Sequence, residues 1–329
     1  SSVLIAAYDA LGQLELQTGN YEAALAAARM ALDLQLHRSG RRHEQFARRL
    51  NNLGAIEAQL GQLESAEQSL TDAVDLSKQI FGLDSLAVAD RELNLAVVLR
   101  RLGKLAEARP LYEHILDVHH RLLGPEHPRF AQSRNNFGRL LEDLGEPGAA
   151  AEHYQHAAEV FRSAHGKGHP ETATAEHNLA RCWLKLGRAE EAEALATAVL
   201  DRRRTALGSE HDAVADTLML LGNARQALGQ ATAARACFQE AARLYAAALG
   251  ESSPYFLDAL RQELSLLEET GDWNDAFVAG ERCWSFHVRA LGEQAELTRN
   301  IAAHVARIAA RLGHDREREA WDSRSRSGR

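Results

Sequence analysis

The segment LGPEHPRFAQSRNNFGRLLEDLG, residues 123–145, sets a proline-containing turn ahead of a helical run and closes on glycine. Its glycines Gly124 and Gly145 decide the fold, because each belongs to a series that returns at a constant step. Gly19, Gly61, Gly103, Gly145, Gly187, Gly229, Gly271 and Gly313 stand 42 residues apart without insertion or deletion, and Gly40, Gly82, Gly124, Gly166, Gly208, Gly250 and Gly292 keep the same step. With Gly12, Gly54, Gly138 and Gly222 the period takes in 19 of the 23 glycines, the signature of a repeat array.

Each unit reads as two helices. The first segment, for example 47–60, has helical apolar spacing and ends at the first glycine series, where a positive φ closes a helix at low cost. The second, for example 63–80, carries Leu63, Ala66, Leu70, Ala73, Val74 and Ser77 on one face and stops at the second series. Connectors such as LGPEHP, HGKGHP, LGSEHD and LGESSP follow, with Pro128, Pro170 and Pro254 suited to a helix start. Ala24, Ala66, Ala108, Ala150, Ala192, Ala234 and Ala276 recur at one place in the second helix, marking the closest approach of neighbours. Pro110 falls past the first turn of its helix, which predicts a kink or a late start there.

Composition narrows the function. The chain of 329 residues is 45% hydrophobic and 26% charged, the profile of a folded water-soluble protein, and a net charge of −8 argues against affinity built on phosphate neutralisation. No apolar run reaches the roughly 18 residues of a membrane span. Cys182, Cys237 and Cys283 are far apart and lack CxxC spacing, which fits a reducing cytoplasm and indicates neither a disulfide framework nor a zinc site. Lysine occurs only at Lys78, Lys104, Lys167 and Lys185 against many arginines and alanines, a bias compatible with a GC-rich bacterial genome.

The small residue in the first helix (Gly12, Gly54, Ala96, Gly138, Ala180, Gly222), the repeated alanine in the second, and the aromatic four residues on (Tyr112, Tyr154, Phe238) resemble the tetratricopeptide repeat. The 42-residue unit with its LGxxHP connector is similar to the kinesin-light-chain-like subclass. The resemblance implies an all-α fold: a right-handed α-solenoid of eight helix-turn-helix units in a single array over residues 1–322. The units expected are 5–46, 47–88, 89–130, 131–172, 173–214, 215–256, 257–298 and 299–322, with a polar closing helix and a disordered tail at 323–329. Glu263 and Leu264 replace the leucine and small residue of the motif, which predicts disturbed packing in that unit.

Residues suited to chemistry are sparse. His43, His127, His169 and His211 recur with the connector and read as loop or cap residues. His153 with His156, and His114 with His119 and His120, lie on helices without a completing carboxylate or thiolate, so no metal site is expected. Trp183 and Trp273 stand at apolar repeat positions, and Glu142, Asp143, Glu190 and Glu191 read as solvated surface. GKGHP lacks the spacing of a phosphate-binding loop. No nucleophile stands with a base, and no cofactor is expected.

The strongest functional signal is asparagine inside helices, where each costs roughly 0.5–0.7 kcal/mol against alanine. LNNLGAIEAQLG (50–61), LNLAVVLRRLG (93–103), the opening segment and HNLARCWLKLG (177–187) put Asn52, Asn94, Asn136 and Asn178 in one register. The resemblance implies that this register faces the concave groove, where the family uses asparagine to bond the backbone of an extended peptide; one amide pairs with both N–H and C=O. Two readings stand: ligand contacts, or a structural ladder of amides bonded to one another or to neighbouring helices. Basic residues share the face: Arg48, Arg101, Arg139, Arg181 and Lys185, with Asn135, His177 and Asn223 beside them. Guanidinium groups favour carboxylates, so the expected ligand is a protein or peptide with acidic character, unless these arginines are paired with Asp90, Asp143 and Asp216. The chain therefore reads as a non-catalytic protein–protein interaction module that holds an extended peptide in its groove. The alternative is a sensor region of a larger bacterial signalling protein, such as a kinase, protease or NTPase, that binds its own effector domain. Neither nucleic acid nor membrane is an expected partner.

Overall fold

In the computed structural model, which describes residues 2–40 and 43–326, sixteen α-helices follow one another and no strand occurs among the described residues. They fall into two compact units, Ser1–Ala164 and His165–Arg329. The first holds α1 (Ser2–Gln17), α2 (Tyr21–Ser39), α3 (Glu44–Gln59), α4 (Leu63–Phe81), α5 (Leu86–Arg101), α6 (Leu105–Leu123), α7 (Pro128–Asp143) and α8 (Pro147–His165). The second holds α9 (Pro170–Lys185), α10 (Ala189–Leu207), α11 (Asp212–Ala227), α12 (Ala231–Leu249), α13 (Pro254–Thr270), α14 (Trp273–Leu291), α15 (Glu296–Leu312) and α16 (Asp315–Arg326). Successive helices pair in the order of the chain, giving eight helix-turn-helix units. Helix α16 continues past residue 322 to Arg326; residues 327–329 of the expected tail lie outside the described residues.

The termini are written in the repeat. At the end of α5, Gly103 takes φ +75°, its N–H donates to the Arg100 carbonyl at 3.0 Å, and the Lys104 N–H donates to the Leu99 carbonyl at 2.9 Å. This double bond pattern satisfies the last carbonyls and needs a left-handed residue, which glycine supplies without a Cβ clash. At the other end, Nδ1 of His43, His127, His169 and His211 accepts the N–H two residues on at 3.0–3.3 Å, so the recurring histidines are N-caps. Ser85 and Ser253 cap at the same register. Pro128, Pro170 and Pro254 occupy the first turn, where a missing N–H costs nothing.

Pro110 does not delay its helix. Helix α6 starts at Leu105, the register of Leu63 in α4, and runs through the proline to Leu123. The donor lost is the one owed to the Ala106 carbonyl; Ala106 and Pro110 are both exposed, so the lost bond falls on the solvent side while buried Ala108, Tyr112 and Ile115 hold the helix.

Packing inside several hairpins pairs a small residue with a large one. A Cβ added at Gly54 would stand 2.6 Å from Leu70, at Gly138 2.8 Å from the Tyr154 ring, and at Gly222 2.5 Å from the Phe238 ring. In α13 and α14 the pair is reversed: Leu264 stands at the glycine register and Gly280 at the position of Leu70, Tyr154 and Phe238, with a Gly280 Cβ 2.7 Å from Val305 and 3.5 Å from Leu264. The disturbance expected at Glu263 and Leu264 is thus absorbed: α13 is continuous, and both residues are buried. The polar closing helix is anchored by Trp321, 4% exposed and edge-on to Trp284 at 5.1 Å.

Candidate peptide-binding face

Beyond their hairpin partners, the first helices of successive units also approach one another, α3 with α5 and α5 with α7 in the first unit, α9 with α11 in the second. The side chains between these odd-numbered helices form the candidate face.

On the first unit, Arg48 and Asn52 of α3 are exposed, Asn94 of α5 and Asn135 and Asn136 of α7 are half-buried, and Arg101 and Arg139 are exposed. Asn94 donates to Oδ1 of Asn51 at 2.9 Å, and Arg101 donates to the Ala58 carbonyl at 2.7 Å; both tie α5 to α3. Asn51 is the residue that sequence reasoning passed over, although the doublet Asn51–Asn52 matches Asn135–Asn136. On the second unit, Asn178 is 4% exposed, His177 and Arg181 are half-buried, Lys185 is exposed and Asn223 of α11 is half-buried. The amides of the set are therefore not equivalent: Asn52 faces solvent, Asn94 is committed to a neighbouring helix, and Asn178 is enclosed.

The acids that would have neutralised the arginines are occupied elsewhere. Asp90 pairs with Arg129; burial would raise its carboxyl, but the His119 ring and the Arg129 guanidinium hold it below its ordinary value. Asp143 accepts from Arg100 at 2.7 Å, and Asp216 accepts the Tyr245 hydroxyl at 2.6 Å. Arg48 and Arg139 make no ion pair with any described residue. Glu142, read as plain surface, accepts the Tyr154 hydroxyl at 2.8 Å, because that ring reaches across from α8.

The remaining histidines and tryptophans have structural partners. His114 Nδ1 lies 2.5 Å from Glu92, and His119 Nδ1 lies 2.9 Å from the Ser133 hydroxyl. His120 and His156 both pack on Phe130, and His153 sits edge-on to Phe137 with centroids 4.9 Å apart. The Trp183 and Trp273 rings lie under Arg188 and Arg311 at 4.7 and 4.6 Å. The three cysteines are buried, and none is in a disulfide.

Desolvation against Phe137, with Arg134 and His156 nearby, lowers His153 from 6.5 to about 4. In this window the unfolded chain binds the proton and the folded chain does not, so the contribution is intact above pH 6.5 and is lost as pH falls toward about 4. A shift of that size corresponds to roughly 3 kcal/mol unscreened, and the partial exposure of the ring reduces it to about 1–2 kcal/mol. His153→Leu, which copies Leu111 and Leu195 at the same register, is expected to flatten this acid limb in urea melts followed across the window. An unchanged limb would assign the acid sensitivity to other groups.

The family follows from comparison. A profile described as Tetratricopeptide repeat matches residues 3–79, 85–163, 150–205 and 171–247. The chain belongs to the tetratricopeptide repeat family. No curated protein matches it by sequence. Among solved structures, this tetratricopeptide array is similar to a putative kinesin light chain from Podospora anserina with nearly identical repeats, at 23% identity and TM-score 0.56, over 62% of this chain and 97% of that one. It is also similar to a Rap protein complexed with Competence and Sporulation Factor, at 11% identity and TM-score 0.59, over 98% and 96%. A third likeness is to a signal transduction ATPase with numerous domains and a tetratricopeptide repeat sensor from Pyrococcus horikoshii, at 13% identity and TM-score 0.65, over 97% of this chain and 44% of that one. At these identities the likeness is one of fold, and it sets the array beside kinesin-light-chain-like proteins. No helix among the described residues is long and apolar enough to cross a membrane.

Proposed function

We propose that this tetratricopeptide array is a non-catalytic interaction module that holds an extended, partly acidic peptide against its odd-numbered helices. The observation that carries this reading is the pair Arg48 and Arg139, exposed and without ion pairs, on the same face as the amides of Asn52 and Asn136 while the nearby aspartates are engaged elsewhere. The guanidinium groups select carboxylates in bidentate geometry, and the amides bond backbone whatever its sequence. The Rap protein solved with a bound factor supports the use of such a fold for capture of a partner. A second reading, the sensor region of a larger signalling protein, draws on the repeat sensor of the Pyrococcus ATPase, of which this chain spans under half.

The test is selection from a random-peptide display library on the whole chain. Enriched peptides should carry Asp or Glu, and Arg48→Ala with Arg139→Ala should weaken them at least about tenfold while reducing their salt dependence. Peptides without acidic residues, or indifference to both substitutions, would refute the acidic-ligand reading. The amides should separate in the same assay. Asn136→Ala is expected to weaken binding and raise stability by about 0.5 kcal/mol, since alanine is the better helix former. Asn94→Ala strands Asn51 and is expected to lower stability by roughly 1 kcal/mol. Equal losses of stability at both positions would mean that the amides form a structural ladder.

A further inference from the structure

The even-numbered helices carry a second feature. Between α2 and α4, above α3, lies an open groove of about 520 Å³. Its floor is apolar, with Phe46, Leu50 and Leu76 under Leu32 and Leu36; its rim is Asp33, Asp72 and Asp75. Register shows why it is open. The positions of Leu36, Leu50 and Asp72 are held one unit later by Lys78, Glu92 and His114, which close that groove through contacts of 2.8 and 2.5 Å to Glu92. Two units later they are His120, Arg134 and His156, whose side chains gather on the Phe130 ring. In the second compact unit Arg204 and Glu240 stand at two of the same positions and bond across α10 and α12 at 2.8 Å. Further along, the sets Ala246, Leu260, Arg282 and Val288, Ala302, Arg324 hold no acid–base pair either, but two leucines with an aspartate stand together only in the α2–α4 groove.

The charge left over fixes the occupant. Asp72 and Asp75 are exposed and have no cation within ion-pair distance among the described residues; Asp33 meets only His37 of its own helix, at 3.6 Å. The lining cation Arg29 reaches instead to Glu57 at 3.5 Å. An apolar floor inside an acidic rim whose Asp72 and Asp75 pair with no cation among the described residues complements large apolar side chains flanked by Lys or Arg. We infer that the α2–α4 groove docks a basic amphipathic segment of a partner protein, separately from the face proposed for an acidic peptide.

The probe is a labelled synthetic peptide of leucine and lysine at amphipathic-helix spacing, about 18 residues long, with a leucine–glutamate peptide of the same spacing as control. The lysine peptide should bind the whole chain one to one, protect α2 and α4 from hydrogen exchange, and bind less well as salt rises. Asp72→Lys with Asp75→Lys, both at exposed positions, should weaken it at least about tenfold with an unchanged melt, and Leu50→Arg, which copies Arg134 at a buried position, should weaken it as well by filling the floor. Arg48→Ala with Arg139→Ala should leave this affinity unchanged, which separates failure here from failure of the proposed function. The inference is overturned if the lysine peptide does not bind, if the glutamate peptide binds equally, or if protection maps elsewhere. It is overturned equally if the charge reversal has no effect, or if the groove proves to be covered by a second copy, seen as a dimer that Leu50→Arg dissociates.

Discussion

Gly222→Leu is expected to lower the stability of the His165–Arg329 unit by about 3 kcal/mol, and Phe238→Gly in the same chain is expected to return much of that loss. A Cβ at residue 222 meets the fully buried Phe238 ring at 2.5 Å, so the larger side chain has no space until the ring moves or the helices part. Phe238→Gly alone should cost roughly 4–5 kcal/mol, from the lost ring, the cavity and the poorer helix former. The two losses should not add, because the double variant rebuilds the arrangement that Leu264 and Gly280 already hold one unit later. A double-mutant cycle in urea should show favourable coupling of at least about 2 kcal/mol, well above the 0.3–0.5 kcal/mol scatter of independent sites. Additive losses would mean that Leu264 and Gly280 tolerate each other for reasons special to that hairpin.

This reversed pair shows what repeat periodicity reveals and what it hides. Helix ends were legible because they depend on single residues at fixed offsets: a glycine that turns left-handed, a proline in the first turn, a histidine or serine that caps. The compensation at Leu264 was not, because it depends on knowing which residue of the second helix faces the glycine of the first, a pairing between helices that recurs at one register but that the glycine period by itself does not name. The candidate face divides in the same way. Its register follows from the period, but Asn94 bonding Asn51 and Arg101 reaching the Ala58 carbonyl are choices of rotamer between neighbouring units. Asp90 and Asp143 were recognised as possible partners for arginine, yet the arginines that take them are Arg129 and Arg100, on the flanks of α7 and α5. The acidic groove on the even-numbered helices stood equally in plain view, and shows only when three positions, 36, 50 and 72, are compared down the repeat together.

Arg235→Ala is expected to destabilise the second unit by roughly 3 kcal/mol, whereas Glu263→Leu is expected to leave it unchanged or stabilise it by about 1–2 kcal/mol. Glu263 stands where other units have Leu53, Leu95, Leu179 and Leu221, and it is 3% exposed. Its Oε1 accepts from Gln239 Nε2 at 2.5 Å and from Arg235 Nε at 3.4 Å, and Arg235 extends on to Asp275 at 2.6 Å. One guanidinium thus holds α12 to both α13 and α14. Removing it leaves a buried carboxylate with one neutral donor, and the desolvation cost of that charge then stands largely uncompensated. Removing the carboxylate instead restores the apolar residue of the repeat and leaves Arg235 its bond to exposed Asp275. The double variant should therefore be more stable than Arg235→Ala alone, a reversal that loss of side-chain packing around Arg235 would not produce. Denaturant midpoints of the three variants decide the matter: Arg235→Ala without effect, or Glu263→Leu costing more than about 1 kcal/mol, would show that the Glu263 cluster stabilises the array in its own right.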